Sequence, residues 1–492
     1  MKNVLLGYHQ QVFVTWRTHK IPNMPRIPVH LISKPFQTLY IILAVLILSL
    51  FLPVSLHPLP AWRTFFLQKP LPATHVPEPN RVHVTIENTE KKIYLSATHK
   101  NNTNDKNIKL HPCLHATKAL QYGHLTVPCF APTTHALTHF QKKLEALQKE
   151  GSLVRIAYFT DSIGSCDKIT STLRYRFQHR FGDGGPGYVA VYPLRHWHYH
   201  SQVQLLLSKS WHPRSFIGSP TVDKHYGFGG IGAASWGNGN TMRFRAKNAS
   251  TFFSAAQIHF LRHPEGGAFR ILVGEKLVRE INTQGERHKE DFVRISFDKT
   301  TQLTIESYTP GLLRINAVFL EKAGPGVVLD AISLTGARFE NWYSLPATHV
   351  RAEMAARAPD LLIFHFGLNE SDTDVEFDYA DRIVDFVSRI RQTIPMSCVI
   401  VAPTDKVQKF NGKWRTLPVI HKIAKLQRQA ALAAGCAFFD TIAAMGGETA
   451  IVRWYEHNPP LAMGDLTHIT SNGGELLGDL IYSDILQALV NP

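Results

Sequence analysis

Four short stretches of this chain carry residue types able to do acyl chemistry. Thr160-Asp161-Ser162-Ile163 follows the apolar run Leu153-Val-Arg-Ile-Ala-Tyr-Phe159 and precedes a helical pattern. A Ser on a strand-to-helix turn is presented at the carboxyl end of a sheet, where the helix start supplies N–H groups. Ser333-Leu-Thr-Gly336-Ala337 follows a second apolar run, Val327 to Ile332. A Gly there lets the backbone approach a ligand and offer its N–H. Gly367-Leu368-Asn369-Glu370 follows a third run, Leu361 to Phe366, and an Asn amide can be aimed at a developing oxyanion. Asp465-Leu466-Thr467-His468 places a carboxylate three residues before an imidazole. The carboxylate can hold Nδ1–H and leave the other ring nitrogen as base. Taken singly, each stretch also reads blandly. Ser162 and Asn369 are ordinary helix caps, Gly336 is an ordinary turn, and Asp-x-x-His recurs by chance.

Elements able to position these groups alternate along the chain. Buried-strand runs at 153–159, 327–332, 361–366 and 398–402 are separated by helical spacings at 169–181, 347–358, 376–393 and 418–434, with an earlier helix at 140–150 closed by Gly151. Such alternation predicts a doubly wound α/β sheet. Between about 205 and 323 the period changes to two. Met242–Arg245, Ala256–Leu261, Ala268–Val273, Phe292–Phe297, Gln302–Glu306 and Leu313–Phe319 read as short alternating strands separated by Gly and charged turns, the pattern of an inserted β-sandwich.

The 492 residues are 44% apolar and 18% charged, which excludes a disordered chain, and no solenoid repeat is visible. Five Cys exclude a disulfide-dense scaffold or a Cys-built zinc array. Cys113 and Cys129 lie close enough in sequence to suggest a disulfide, while Cys166, Cys398 and Cys436 read as buried small apolar residues.

The N-terminal 35 residues carry Lys2, Arg17, Lys20, Arg26 and Lys34 and no acid, and Pro35 to Trp62 carries no charge. The stretch from Phe36 to Leu56 has about the 20 residues a helix needs to cross a bilayer. Basic residues before it put the N-terminus in the cytoplasm and export everything after Trp62. A cleaved signal peptide is the rival reading, as is a buried core helix. Net charge is +15, which suits anionic envelope polymers or lipid surfaces as well as simple solubility. Nucleic acid is not expected as a partner in an exported compartment.

The order of the four blocks, Asp-Ser, Gly, Gly-x-Asn, then Asp-x-x-His, resembles the SGNH (GDSL-type) hydrolase family. The resemblance implies a three-layer α/β/α, flavodoxin-like sheet and makes Ser162 the nucleophile. It makes the Ser162 and Gly336 N–H groups and the Asn369 amide the oxyanion hole, His468 the general base and Asp465 its orienter, with no metal and no cofactor. An insertion between the first two blocks, and Phe181-Gly-Asp-Gly-Gly-Pro-Gly-Tyr188, look like the peptidoglycan O-acetylesterase subgroup, which carries a carbohydrate-binding-like jelly roll there. On that basis residues 1–37 are a cytoplasmic segment, 38–57 a transmembrane anchor, and 58–137 a stalk with a small disulfide-containing region. Residues 138–204 and 324–492 are the hydrolase domain and 205–323 the insertion. One departure stands out: the family's first-block Gly is Thr160 here, whose side chain is expected to crowd the nucleophile or alter substrate choice.

The implied reaction is removal of O-acetyl groups from an envelope glycan, peptidoglycan first, by a single-pass inner-membrane protein with its catalytic domain in the periplasm. Transfer of the acetyl group to a polysaccharide is an alternative, as is a weakly catalytic wall-binding protein. His196-Trp197-His198-Tyr199-His200 offers two further readings. On a strand, the three imidazoles would share one face and could hold zinc, as in a metal-dependent deacetylase. Otherwise Trp197 and Tyr199 could form an aromatic wall for sugar rings. Trp236 beside Gly237-Asn-Gly239 reads as a turn or a sugar-contacting loop. Gly182 to Gly187 lacks the Gly-Lys-Ser/Thr ending of a phosphate loop.

Overall fold

The computed structural model describes residues 119–131, 134–373 and 375–490. The apolar run at 36–56, the stalk and Cys113 lie outside the described residues. Among the described residues, no helix is long and apolar enough to cross a membrane.

The larger sheet has eight strands. Its centre is five parallel strands: Leu153–Thr160, Gly326–Ser333, Leu361–His365, Ser397–Val401 and Ala437–Phe439. Numbered in chain order they stand 2-1-3-4-5, the flavodoxin-like order of a doubly wound sheet. Apart from Arg155, Asp330 and His365 their interiors are apolar, because helices cover both faces. Thr138–Glu150, Thr170–Phe181 and Ser471–Val490 pack Phe140, Phe177 and Ile481 on one side. Ala347–Arg357, Tyr379–Arg391 and Pro418–Ala433 pack Met354, Phe386 and Ile423 on the other. The expected three-layer α/β/α architecture is therefore present. Leu125–Ala131 joins the sheet antiparallel to Ala437–Phe439, pairing Leu125 with Phe439, and Ala119–Tyr122 lies outside it. This hairpin falls within the 58–137 stretch, so the sheet draws on chain that precedes residue 138.

The insertion is a two-sheet sandwich. One sheet runs Lys289–Thr300, Phe253–Arg262, Leu312–Glu321, Ile231–Trp236, His212–Ser215, with Gly187–Val189 also paired to Leu312–Glu321. The other runs Lys276–Asn282, Ala268–Val273, Gln302–Ser307, Thr241–Ala246, Val203–Leu207. Phe244, Ile271 and Ile305 face Ile258, Ile295 and Ile315 across its core, as period-two strands with one face buried require. Its strands begin at Gly187 and Val203, upstream of the expected boundary at 205.

The sandwich is seated on the α/β unit. Tyr188, Phe228 and Phe319 from its outer face share a core with Phe159 and Trp342. Arg357, fully buried, lies in this seam and donates to both oxygens of Asp330, Nε at 2.7 Å and Nη2 at 2.9 Å. Its Nη1 also donates to Glu321. Burying three charges is tolerable only when each is paired this closely. Glu321 ends a sandwich strand and Asp330 lies in a strand of the larger sheet, so the cluster ties the two together.

Cys398 and Cys436 are not free apolar fillers: they form a disulfide with a Cα–Cα distance of 4.8 Å. They start adjacent parallel strands, which brings positions 38 apart in sequence side by side. Cys129 is also disulfide-bonded, and Cys166 is a free thiol.

Candidate active site

In this strand order the direction of winding reverses between Leu153–Thr160 and Leu361–His365, and the crevice at their carboxyl ends is where such sheets bind ligands. Ser162 follows the first of these strands and Asn369 the second, while Gly336 follows the neighbouring Gly326–Ser333. Three of the four blocks are therefore brought to one sheet edge by register alone, with Thr160 opposite both His365 and Ser333. The fourth arrives from the loop before Ser471–Val490.

Ser162 Oγ stands 2.9 Å from His468 Nε2, and His468 Nδ1 stands 2.7 Å from Asp465 Oδ2. The other Asp465 oxygen accepts the backbone N–H groups of Thr467 and His468, each at 3.0 Å. Partial burial works against ionisation of Asp465, but these N–H groups and the ring hold its carboxyl below the usual range. The tight turn puts Leu466 at φ +51°. An ionised carboxylate accepting Nδ1–H leaves Nε2 free to accept the Ser162 proton.

The Ser162 turn is held from beneath. Asp161 is buried, and its Oδ1 accepts the Ile163 N–H at 2.9 Å. Burial pushes the Asp161 carboxyl up to about 8, against the pull of that N–H, with the nearby Glu370 charge adding to the rise. The far end of the turn is fixed by Asp167, which takes the Arg174 guanidinium at 2.7 Å and the Ser201 N–H at 3.0 Å. Burial opposes ionisation there too, but the Arg174 charge wins and holds the Asp167 carboxyl far below its ordinary value.

The Thr160 side chain is fully buried and points under the turn, where its methyl occupies the space that a Cβ on Gly164 would need. The glycine four residues later thus makes room for it.

Gly336 adopts φ +81° and has open space where a Cβ would be. Both facts suit a backbone N–H exposed to a ligand. Asn369 donates one Nδ2 hydrogen to Ala337 O at 2.9 Å. That bond ties the amide to the Gly336 loop and leaves its second N–H for a ligand.

The sequence reading did not identify what positions this loop. His198 does not share a strand face with His196 and His200, because residues 190–202 form no strand. His198 Nε2 accepts the Thr335 N–H at 3.3 Å and lies 2.7 Å from Thr335 Oγ1, to which Trp197 Nε1 also donates at 3.1 Å. Burial, aided by Arg195, lowers the His198 ring to about 4, so it is neutral and can accept. His200 instead reaches Pro186 O at 3.1 Å, and His196 packs edge-on against Trp197. The three imidazoles have separate partners and make no zinc set. The motif was visible in the sequence, but its partner Thr335 was not.

A cavity of about 450 Å³ opens beside the nucleophile turn. Ser165 and Cys166 line it from the turn, His198 and Tyr199 from the following segment, and Lys247 from the sandwich. The Tyr199 ring is half exposed, with the Lys247 ammonium 4.7 Å from its centroid.

No family model matches the chain, and no curated protein matches it. Solved structures do. A peptidoglycan O-acetylesterase superposes with a TM-score of 0.60 at 21% identity, over 72% of this chain and 96% of that one. A salicylyl-acyltransferase from a tetracycline biosynthetic pathway matches at 14% identity over 59% of this chain and 98% of its own, with a TM-score of 0.26. An acetyl xylan esterase matches at 13% identity over 32% and 80%, again with a TM-score of 0.26. The first shows a shared fold that takes in nearly the whole of the other chain.

Proposed function

We propose that this protein is a serine esterase that removes O-acetyl groups from a glycan, with peptidoglycan as the first substrate to test. The observation that carries the reading is the unbroken chain Ser162 Oγ, His468 Nε2, His468 Nδ1, Asp465 Oδ2, with links of 2.9 and 2.7 Å. His468 takes the hydroxyl proton as Ser162 Oγ attacks the acetyl carbonyl. The oxyanion is received by the Ser162 and Gly336 N–H groups and the free Asn369 amide hydrogen. Collapse expels the sugar alkoxide, which takes the proton from His468. Water, deprotonated by the same ring, then releases acetate from acetyl-Ser162. Every proton in the cycle passes through one imidazole.

A sugar substrate is supported by the cavity beside the turn. Tyr199 offers a ring face for a pyranose, and Lys247 brings a sandwich residue to the same opening. The shared fold with a peptidoglycan O-acetylesterase adds to this. The basic N-terminal segment and the uncharged run at 36–56 support tethering in the inner membrane with the hydrolase in the periplasm.

The test is acetate release from O-acetylated peptidoglycan by the full chain. Release should stop in Ser162→Ala while glycan binding persists. Acetate appearing on an added glycan acceptor instead of in solution would identify a transferase, and activity surviving Ser162→Ala would overturn the reading.

A further inference from the structure

Away from the Ser162 site, three metal-ligating side chains converge at the seam between the sandwich and the α/β unit. His225 comes from the loop between His212–Ser215 and Ile231–Trp236, Glu290 from the start of Lys289–Thr300, and His349 from the first turn of Ala347–Arg357. One ligand atom from each lies within 4.8 Å of the others. Both imidazoles present Nδ1 to the same Glu290 oxygen, Oε1.

We propose that His225, Glu290 and His349 form a binding site for a divalent transition-metal ion of the zinc class, with solvent at the fourth position. Two imidazoles and one carboxylate are a donor set that zinc takes in tetrahedral sites, at about 2.0–2.2 Å per bond and hence with ligand atoms about 3.3 Å apart. Both imidazole nitrogens contact Glu290 Oε1 directly, so the ligand atoms would open outward to admit an ion. Burial fits as well. The His349 side chain is 1% exposed, whereas those of His225 and Glu290 are 20% and 14% exposed, so the site is closed on the helix side and open to water on the other.

The loop is pre-set to deliver its ligand. The Asp223 carboxylate accepts the His225 backbone N–H at 3.0 Å and the Thr221 hydroxyl at 2.8 Å, and it is itself held by the buried Arg314. This support fixes His225 independently of the metal, as the surroundings of metal ligands commonly do. The ion would clip a sandwich strand and a sandwich loop to the helix that carries Glu353 and Arg357. Those two residues already make seam contacts, Glu353 with His259 at 2.7 Å and Arg357 with Glu321. The site is separate from the Ser162 centre, because none of the three ligands is hydrogen-bonded to Ser162, His468 or Asp465.

The alternative is a metal-free cluster in which the two imidazoles are paired with Glu290 alone. The two are separated with full-length protein stripped by EDTA and titrated with zinc chloride against a chromophoric chelator, and in parallel with cobalt(II), whose visible absorption reports tetrahedral coordination. One equivalent should bind per chain, with an intense cobalt band and a raised Tm. Glu290→Gln and, separately, the loop variant His225→Ala should each weaken binding by about 100-fold or more, while Ser162→Ala binds as the parent does. Less than about a tenth of an equivalent bound by chain with native circular dichroism would overturn the proposal. So would stoichiometric binding that survives both ligand variants, since it would place the ion elsewhere among the histidines.

Discussion

The Cγ2 methyl of Thr160 lies 2.2 Å from the point where a Cβ on Gly164 would sit. The two residues flank Ser162 and share one small volume beneath the nucleophile turn. Gly164→Ala should therefore destabilise the fold by about 1–3 kcal/mol through overpacking. Thr160→Ser, which removes that methyl, should restore most of the loss when combined with it. Urea unfolding of the four proteins in a double-mutant cycle measures this; additive effects would mean that the residues do not compete for space.

Asp161 makes stability depend on pH. Burial raises its carboxyl from 3.8 to about 8 in the folded chain. A group raised on folding favours the folded state in its protonated form. Its contribution is complete below about pH 4 and is lost as pH rises through about 8. The Asp161→Asn variant should lack this component, so its urea midpoint relative to the parent should rise between about pH 5 and pH 8. A constant difference would show that Asp161 is ionised throughout.

Loss of the Asp465 carboxylate should leave the His468 tautomer and orientation unset. Asp465→Asn is expected to lower kcat by about 10⁴-fold, as removal of the orienting acid does in Ser-His-Asp sites. Asn369→Ala should lower kcat by about 10²–10³-fold with little change in KM, because the role proposed for the amide is at the oxyanion and not in the ground state. Steady-state kinetics with p-nitrophenyl acetate give both values.

Under the proposed function, Tyr199 contributes to substrate recognition and not to chemistry. Tyr199→Ala should raise KM for O-acetylated glycan by several-fold and leave turnover of p-nitrophenyl acetate unchanged, since the small ester does not reach the ring. Equal losses on both substrates would place Tyr199 in support of the turn instead.

Much of the site was legible because its residues sit at the ends of strands that the sequence marks clearly. Runs such as Leu361 to Phe366 are largely apolar, so their ends mark where Ser162, Gly336 and Asn369 stand, while the roles expected of these residues came from the resemblance of the four-block order to the SGNH family. Six sandwich strands were legible from alternation. Val203–Leu207, His212–Ser215 and Ile231–Trp236 were not read as strands, and Trp236 ends a strand instead of lying in a turn. Lys276–Asn282 was not read either, because as an edge strand it is largely exposed and carries no period-two signal. The Cys398–Cys436 pairing was hidden because each Cys stands in an apolar stretch, and only the parallel registration of two strands makes them neighbours. The direction of Thr160 likewise depends on which way the strand's last residue faces. The sequence shows that a side chain is present there but not where it goes. The histidines at 196–200 were conspicuous, yet their roles are set by Thr335 and Pro186, which lie at unrelated points of the chain.

Ser162 and His468 are 306 positions apart, and the whole sandwich is threaded between them. Under the proposed function, a nascent chain that has emerged past Ser162 still lacks the imidazole that would activate it. Hydrolytic power would come only after the intervening module has been synthesised and His468 has docked, so a chain ending within that interval would be inert.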